Sequence, residues 1–259
     1  NVDGEDVKVA RNGEVFSQYS YWDIPPIHES GTVIDRYGLA LNRVWRFGVS
    51  GQGSYVSIRF ACHDNGDAYV LHLIPTIIPK AELRKRATGA GHNWDTTLIG
   101  SYDKIEVAKD RIFLFGMLPD TGGIGTNRGF TIVQFDTMHN AYWRRDTLFP
   151  QNMAIRRTET YADENGNMYV TGTVEWDEKD VFILKYDIDG NLVCGNWMRG
   201  PVGRTEEGFG ITADRAGNFY MLSKVDGADN VNAAWITKFD PVGREIWSKP
   251  FASEKNLGL

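Results

Sequence analysis

Apolar and polar positions alternate along most of the chain in runs of about seven residues, the signature of half-buried strands. Gly129-Phe130-Thr131-Ile132-Val133-Gln134-Phe135 and Asp180-Val181-Phe182-Ile183-Leu184-Lys185-Tyr186 are the clearest, and both are rich in β-branched and aromatic residues. The runs are separated by Asn12-Gly13, Asn65-Gly66, Asn165-Gly166 and Asp189-Gly190, pairs that supply the positive φ values tight hairpins demand. The pattern predicts short antiparallel strands joined by hairpins. The longest apolar stretch, Ala68 to Ile78, contains His72 and Pro75 and predicts a buried strand or a loop. No run approaches the roughly 20 apolar residues that span a bilayer.

One arrangement returns five times: an alanine closing an alternating stretch, a polar turn, then a residue pair with an aromatic. The alanines are Ala10, Ala61, Ala108, Ala162 and Ala213, spaced by 51, 47, 54 and 51 residues. Further on comes an apolar residue before Asp, then a Trp: Ile34-Asp35 with Trp45, Phe135-Asp136 with Trp143, Tyr186-Asp187 with Trp197, and Phe239-Asp240 with Trp247. In the second repeat the basic segment Lys80 to Arg86 replaces this turn, while Trp94 keeps its column. That segment is expected to be a solvated loop or edge. Each repeat accommodates four strands, and a four-stranded unit of this length cannot bury both faces alone, which predicts a propeller blade. Alanine suits the crowded inner strand, and tryptophan the widening gap between outer strands. The expected fold is an all-β β-propeller of five four-stranded antiparallel blades, at 5–49, 50–98, 99–148, 149–200 and 201–251, in one domain (1–259) with a tail at 252–259. A ring of five is the economical count; the same blades within a larger propeller of six to eight is the competing one.

Asp163 to Gly172 with Tyr186-Asp187-Ile188-Asp189-Gly190-Asn191, and Asp214 to Leu222 with Phe239-Asp240, resemble the blade motif of bacterial β-propeller repeats of the type first described in seven-bladed secreted proteins. The resemblance is strongest over residues 160–251, and the first three blades match in outline. It implies a propeller fold and extracytoplasmic residence, whether secreted, periplasmic or at the cell surface. It carries over no catalytic residues, since that family shares none.

Composition sharpens this picture. The 259 residues include 28 Gly, against roughly 18 at average usage, and the surplus is turn glycine. With 42% hydrophobic and 24% charged residues, a large core is affordable and disorder is excluded. A net charge of -6 argues against nucleic acid as a partner. Cys62 and Cys194 lack ligand spacing, as do His28, His63, His72, His92 and His139, so neither a metal nor a cofactor is expected. The chain opens at Asn1 without a signal-like segment, as in either a processed secreted chain or a trimmed fragment. Asp163-Glu164-Asn165-Gly166-Asn167 and Asp187-Ile188-Asp189-Gly190-Asn191 look superficially like calcium loops but lack the distal glutamate, which favours turn chemistry. Gly122-Gly123-Ile124-Gly125 joins two predicted strands, not a strand to a helix, and is expected to be a loop instead of a phosphate cradle.

The candidate chemistry lies where the inner strands begin. Glu5, Asp6, Lys8, Arg59, Asp103, Lys104, Glu106, Arg156, Arg157, Glu159, Glu206 and Glu207 cluster there. Trp22, Trp176 and Trp235 stand outside the tryptophan column, the first two between second and third strands on the same side. The candidate binding residues are Trp22, Arg59, Asp103, Arg157, Trp176, Glu206 and Glu207, for a protein partner or a glycan. Interblade ion pairs lining a water-filled channel are the plainer reading of these charges. Two functions compete: a non-enzymatic binding or assembly module, and a carbohydrate-active enzyme using Asp103, Glu159, Glu206 or Glu207 as paired acid and base. A structural segment of a larger surface or filament assembly is a third.

Overall fold

The computed structural model describes residues 2–10, 12–24, 29–51, 57–74, 79–87, 93–119, 127–150, 153–175, 179–198, 205–226 and 232–253. Among these residues every helix or strand is a strand, and the strands follow one another as five antiparallel meanders. The first holds β1 (Val2–Val9), β2 (Val15–Ile24), β3 (Glu29–Tyr37) and β4 (Arg43–Gly51). The second holds β5 (Ser57–Cys62), β6 (Ala68–Ile74), β7 (Lys80–Arg86) and β8 (Trp94–Ile99). The third holds β9 (Lys104–Ala108), β10 (Arg111–Pro119), β11 (Asn127–Asp136) and β12 (Ala141–Leu148). The fourth holds β13 (Ala154–Ala162), β14 (Met168–Glu175), β15 (Lys179–Tyr186) and β16 (Leu192–Met198). The fifth holds β17 (Thr205–Ala213), β18 (Phe219–Asp226), β19 (Asn232–Phe239) and β20 (Glu245–Ser253). The third and fourth meanders meet through one residue pair, Asn127 with Ile155, and so share a single eight-stranded sheet. The chain divides into two compact units, residues 1–107 and 108–259.

Local chemistry accounts for the strand ends. Each of the five alanines falls within one residue of the end of the first strand of its meander. Gly13, Gly66, Gly166 and Gly190 have φ of 84°, 84°, 80° and 78°, the left-handed conformation open to glycine at little cost. In the strand 3 to strand 4 turns, the aspartate carboxylate closes the loop upon itself. Asp187 Oδ1 accepts the backbone N–H groups of Asp189 (3.0 Å) and Asn191 (2.8 Å), and its Oδ2 accepts the Asn191 side-chain amide at 3.0 Å. Asp136 does the same with Met138 and Asn140, and the strand 1 to strand 2 turns repeat it at Asp163 and Asp214. The oxygens that resemble a calcium loop are those that hold these turns shut. Burial works to raise the Asp136 and Asp187 carboxyls, and the bonds from Asn140 and Asn191 overcome it, so both sit below the ordinary carboxylate value.

Three expectations change. The basic segment Lys80 to Arg86 is not a loop or edge but the third strand of its meander, because alternate residues Ala81, Leu83 and Lys85 turn inward. Its charges are met locally by Lys85 with Asp67 at 3.0 Å, Arg86 with Asp95 at 2.6 Å, and Arg84 with Glu82. Asp35 is not a turn residue: it lies buried inside β3, where Arg46 donates twice to its carboxylate, each bond 2.8 Å. That guanidinium, working against burial, holds the Asp35 carboxyl below its usual range. The turn comes three residues later, from Gly38 to Asn42, with Leu41 at φ 57°. Trp197 is not the fourth member of its column. Strand pairing sets Arg36 opposite Trp45, Lys85 opposite Trp94, Gln134 opposite Trp143 and Lys238 opposite Trp247, but Lys185 opposite Cys194.

The cores lie between successive meanders. In the first unit Phe16 and Ile34 meet Ile58, Phe60, Ala68 and Val70. In the second, Phe113, Phe115, Phe130 and Ile132 meet Met168, Val170 and Phe182, with the Phe149 and Phe182 ring centroids 5.1 Å apart. The other face of the fourth meander, through Tyr169, Val181 and Ile183, packs on Phe219, Met221 and Phe239. Burial on both faces is why β14 and β15 read as nearly continuous apolar runs. Polar bonds then register one meander on the next. Gln134 Nε2 and Trp143 Nε1 both donate to the Ile188 carbonyl, at 3.1 and 3.0 Å, and Arg145 Nε donates to the Gly190 carbonyl at 2.8 Å. One meander later, Lys185 Nζ donates to the Pro241 carbonyl at 2.8 Å and the Asn196 amide donates to the Gly243 carbonyl. Trp143 thus does fill the gap between outer strands, seated on the neighbouring turn.

Candidate functional site

The sequence-predicted residues of the second unit converge where β13, β14, β15 and β17 come side by side. Two bulges shape this surface. The register of β13 on β14 slips between Ile155 and Arg157, and that of β17 on β18 slips between Gly208 and Gly210. A bulge leaves a residue out of the ladder and re-aims its neighbours. Here Arg157 lies over the half-buried Phe209 ring, 4.5 Å from its centroid, a distance at which a guanidinium is attracted by the ring face. The backbone N–H of Gly208 donates to Thr173 Oγ1 at 3.1 Å, which ties the bulge to β14.

The charges around this pair are mostly matched. Arg157 Nε donates to Glu159 at 3.3 Å, Arg156 pairs with Glu175, and Lys179 pairs with Glu207. These are exposed or partly exposed pairs, each of small net worth. Glu206 differs. It is half-buried, and no hydrogen bond or ion pair to it occurs among the described residues. Burial, with the like charge of Asp180 adding to it, pushes its carboxyl above the ordinary glutamate value. Of the carboxylates named as acid and base candidates, Glu159 and Glu207 are paired with cations, and the raised carboxyl of Glu206 suits a proton donor.

The remaining candidates do not join this cluster. Arg59 is exposed on β5 and donates to its neighbour, the Ile58 carbonyl, at 2.9 Å. Asp103 is half-buried between β8 and β9. Trp22 lies on β2, with its side chain outside the described residues, and Trp176, His28, His92 and Gly122 to Gly125 lie outside them altogether. Trp235 is half-buried on β19, opposite Ser223 and Pro250. Among the described residues no group of three His, Cys, Asp or Glu is disposed to hold a metal ion, and no helix is long and apolar enough to cross a membrane. A cavity of about 190 Å³ opens between the turns after β13 and β17, lined by Tyr161, Asp163, Asn165, Asp214 and Arg215. Its aspartates are the ones that hold those turns together. Sequence reasoning missed Phe209, Lys179 and Asp180. Gly208-Phe209-Gly210 was the available signal, since glycines flanking an aromatic inside a strand mark a bulge.

No protein-family model matches the sequence, and no curated protein does either. Solved structures do share the fold. A polysaccharide lyase of family PL25, an ulvan lyase, aligns with a TM-score of 0.57 at 10% identity, covering 95% of this chain and 69% of its own. The cobalt-substituted apocarotenoid oxygenase of Synechocystis aligns with a TM-score of 0.56 at 9% identity, covering 97% of this chain and 61% of its own. The β-propeller domain of the trilobed protease from Pyrococcus furiosus, described as having an open velcro topology, gives 0.53 at 11% identity, covering 97% and 83%. At these identities the likeness is one of fold: this is an all-β protein of propeller-like architecture.

Proposed function

We propose that the protein is a five-bladed, extracytoplasmic β-propeller of the bacterial repeat type, which binds a protein or glycan through the side where its inner strands begin. The fold likeness to a propeller domain and the five successive meanders support the architecture. The observation that carries the function is the Arg157 and Phe209 pair, a flat cation and ring presented by two bulges and surrounded by carboxylates already paired with Arg156, Arg157 and Lys179. Such a surface is organised for recognition, with Glu159 and Glu207 each paired to a cation. The experiment is retention on immobilised glycans and candidate partner proteins, compared between the protein and an Arg157→Glu, Lys179→Glu variant of unchanged fold. Loss of retention supports the reading; retention that survives refutes it.

A second reading, a carbohydrate-active enzyme, is favoured by one observation: the raised carboxyl of Glu206 beside Asp180. Release of reducing ends from a polysaccharide, abolished in Glu206→Gln, would establish it.

A further inference from the structure

We infer that Asn165 is a site of spontaneous covalent modification, deamidation through a succinimide, and that the fold shields the other two Asn-Gly pairs from the same reaction. The inference stands apart from the binding-face reading. An Asn-Gly pair reacts when the glycine nitrogen, its proton lost to hydroxide, attacks the asparagine Cγ. The new N–Cγ bond closes a five-membered ring, the Cγ–Nδ2 bond breaks, and Nδ2 leaves as ammonia with a proton taken from water. Water then opens the ring at one carbonyl or the other, leaving aspartate or isoaspartate. Glycine favours the step because it has no side chain to hinder the approach.

Asn12-Gly13, Asn65-Gly66 and Asn165-Gly166 form a matched set. Each pair lies in the turn from the first to the second strand of its meander, each asparagine is exposed, and the glycines hold φ of 84°, 84° and 80°. The glycine N–H donates to the carbonyl three residues back in every case: Gly13 to Ala10 at 2.9 Å, Gly66 to His63 at 2.8 Å and Gly166 to Asp163 at 2.9 Å. Backbone and exposure therefore do not separate the three, but their side chains do. Asn12 Oδ1 accepts the Glu14 N–H at 3.1 Å while its Nδ2 donates to the Glu14 carboxylate at 2.7 Å. Asn65 makes the same two bonds to Asp67, at 2.8 and 3.2 Å. With both ends of the amide tied, Cγ can turn to meet the glycine nitrogen only after those bonds release.

In the turn after β13 another residue has taken over the closing bonds. The first two turns open with Ala10 and His63, whereas this one opens with Asp163. Its carboxylate accepts the N–H groups of Asn165 and Asn167, each at 2.9 Å, and the Asn167 amide at 2.8 Å. The Asn165 amide is left without a hydrogen bond among the described residues. It stands at the wall of the cavity between the turns after β13 and β17, where it has room to rotate. Two local hydrogen bonds of ordinary net strength correspond to about tenfold in rate.

The test incubates the full chain at mildly alkaline pH in water enriched in heavy oxygen, once folded and once in urea, and follows the three peptides by mass spectrometry. The ring-opening water labels the product, which separates reaction during incubation from reaction during digestion. The expected result is that Asn165 of the folded chain reacts about tenfold or more faster than Asn12 and Asn65, and that the three rates converge in urea. Glu14→Ala, which cuts the Asn12 Nδ2 bond, should speed Asn12 severalfold while Asn65, its own bonds intact, stays slow. Asn12 or Asn65 reacting as fast as Asn165 in the folded chain overturns the inference. So does an Asn165 that stays silent while the unfolded chain reacts, or a ranking that persists in urea. An Asn12 rate unmoved by Glu14→Ala overturns the amide bonds as the cause of shielding.

Discussion

Gly190 offers the most direct test of how the meanders are held together. Its φ is 78°, and a Cβ built there would lie 2.7 and 2.8 Å from Trp143 Cδ2 and Cε2. The ring cannot simply withdraw, because Trp143 Nε1 is bonded to the Ile188 carbonyl at 3.0 Å and the ring packs edge-on against Phe113. Gly190→Ala therefore carries two penalties: about 1–2 kcal/mol for a left-handed alanine, and about 1–3 kcal/mol for overpacking at a closed contact. Gly217 has nearly the same backbone, φ 81°, but the nearest atoms to its Cβ are those of Pro241 at 3.6 Å, an ordinary contact. Gly217→Ala should show the first penalty alone. The difference between the variants, about 1–3 kcal/mol, measures the seating of one meander on the next, and it should vanish when Trp143→Leu is introduced into both. Urea unfolding followed by circular dichroism supplies the midpoints. Equal losses in the two alanine variants, or a difference that persists without the indole, would refute the proposed seating of the turn on Trp143.

Further expectations concern turns and carboxyls. Leu41 holds φ 57° with its side chain 70% exposed, so Leu41→Gly should raise stability by about 1 kcal/mol, and a lower thermal midpoint would contradict the turn assignment. The Asp187 carboxyl is depressed in the folded chain, so the unfolded state binds more protons and stability should decline as pH falls below about 4. Asp187→Asn should flatten that acid limb in a pH series of unfolding midpoints. Glu206 has the opposite sign. Its carboxyl is raised in the folded state, so its charge destabilises the fold above the folded value, and Glu206→Gln should be more stable than the wild type at pH 8 and indistinguishable from it well below pH 4. A variant less stable at pH 8 would show that the Glu206 charge is stabilised by a partner.

Much of the architecture was legible because hairpin chemistry is local. An alanine, an aspartate-glycine turn and an alternating run each announce themselves within a few residues, and all five first strands end within one residue of their alanines. Errors arose where a position depended on a contact distant in the chain. Lys80 to Arg86 reads as polar, but a third strand needs only alternate residues inward, and Lys85 is held by Asp67. Asp35 reads as a turn aspartate until Arg46 is placed beside it. At the candidate site, Arg157, Glu206 and Glu207 were visible as charges, while the Phe209 bulge that gives Arg157 its platform was not. Whether Glu207 is an acid or half of an ion pair depends on Lys179, and no spacing rule connects the two.

The sequence by itself determined the strand content, the fivefold repeat and the positions of most hairpins, since these follow from side-chain period and turn stereochemistry within one segment. Only the tertiary structure decided which tryptophan slot holds Cys194, which carboxylates are neutralised, and which bulges bring Arg157 to Phe209. Those outcomes depend on the register and stacking of whole sheets. A one-residue slip in a strand reverses every side chain beyond it, so a site assembled from several strands is settled only when the sheets have packed.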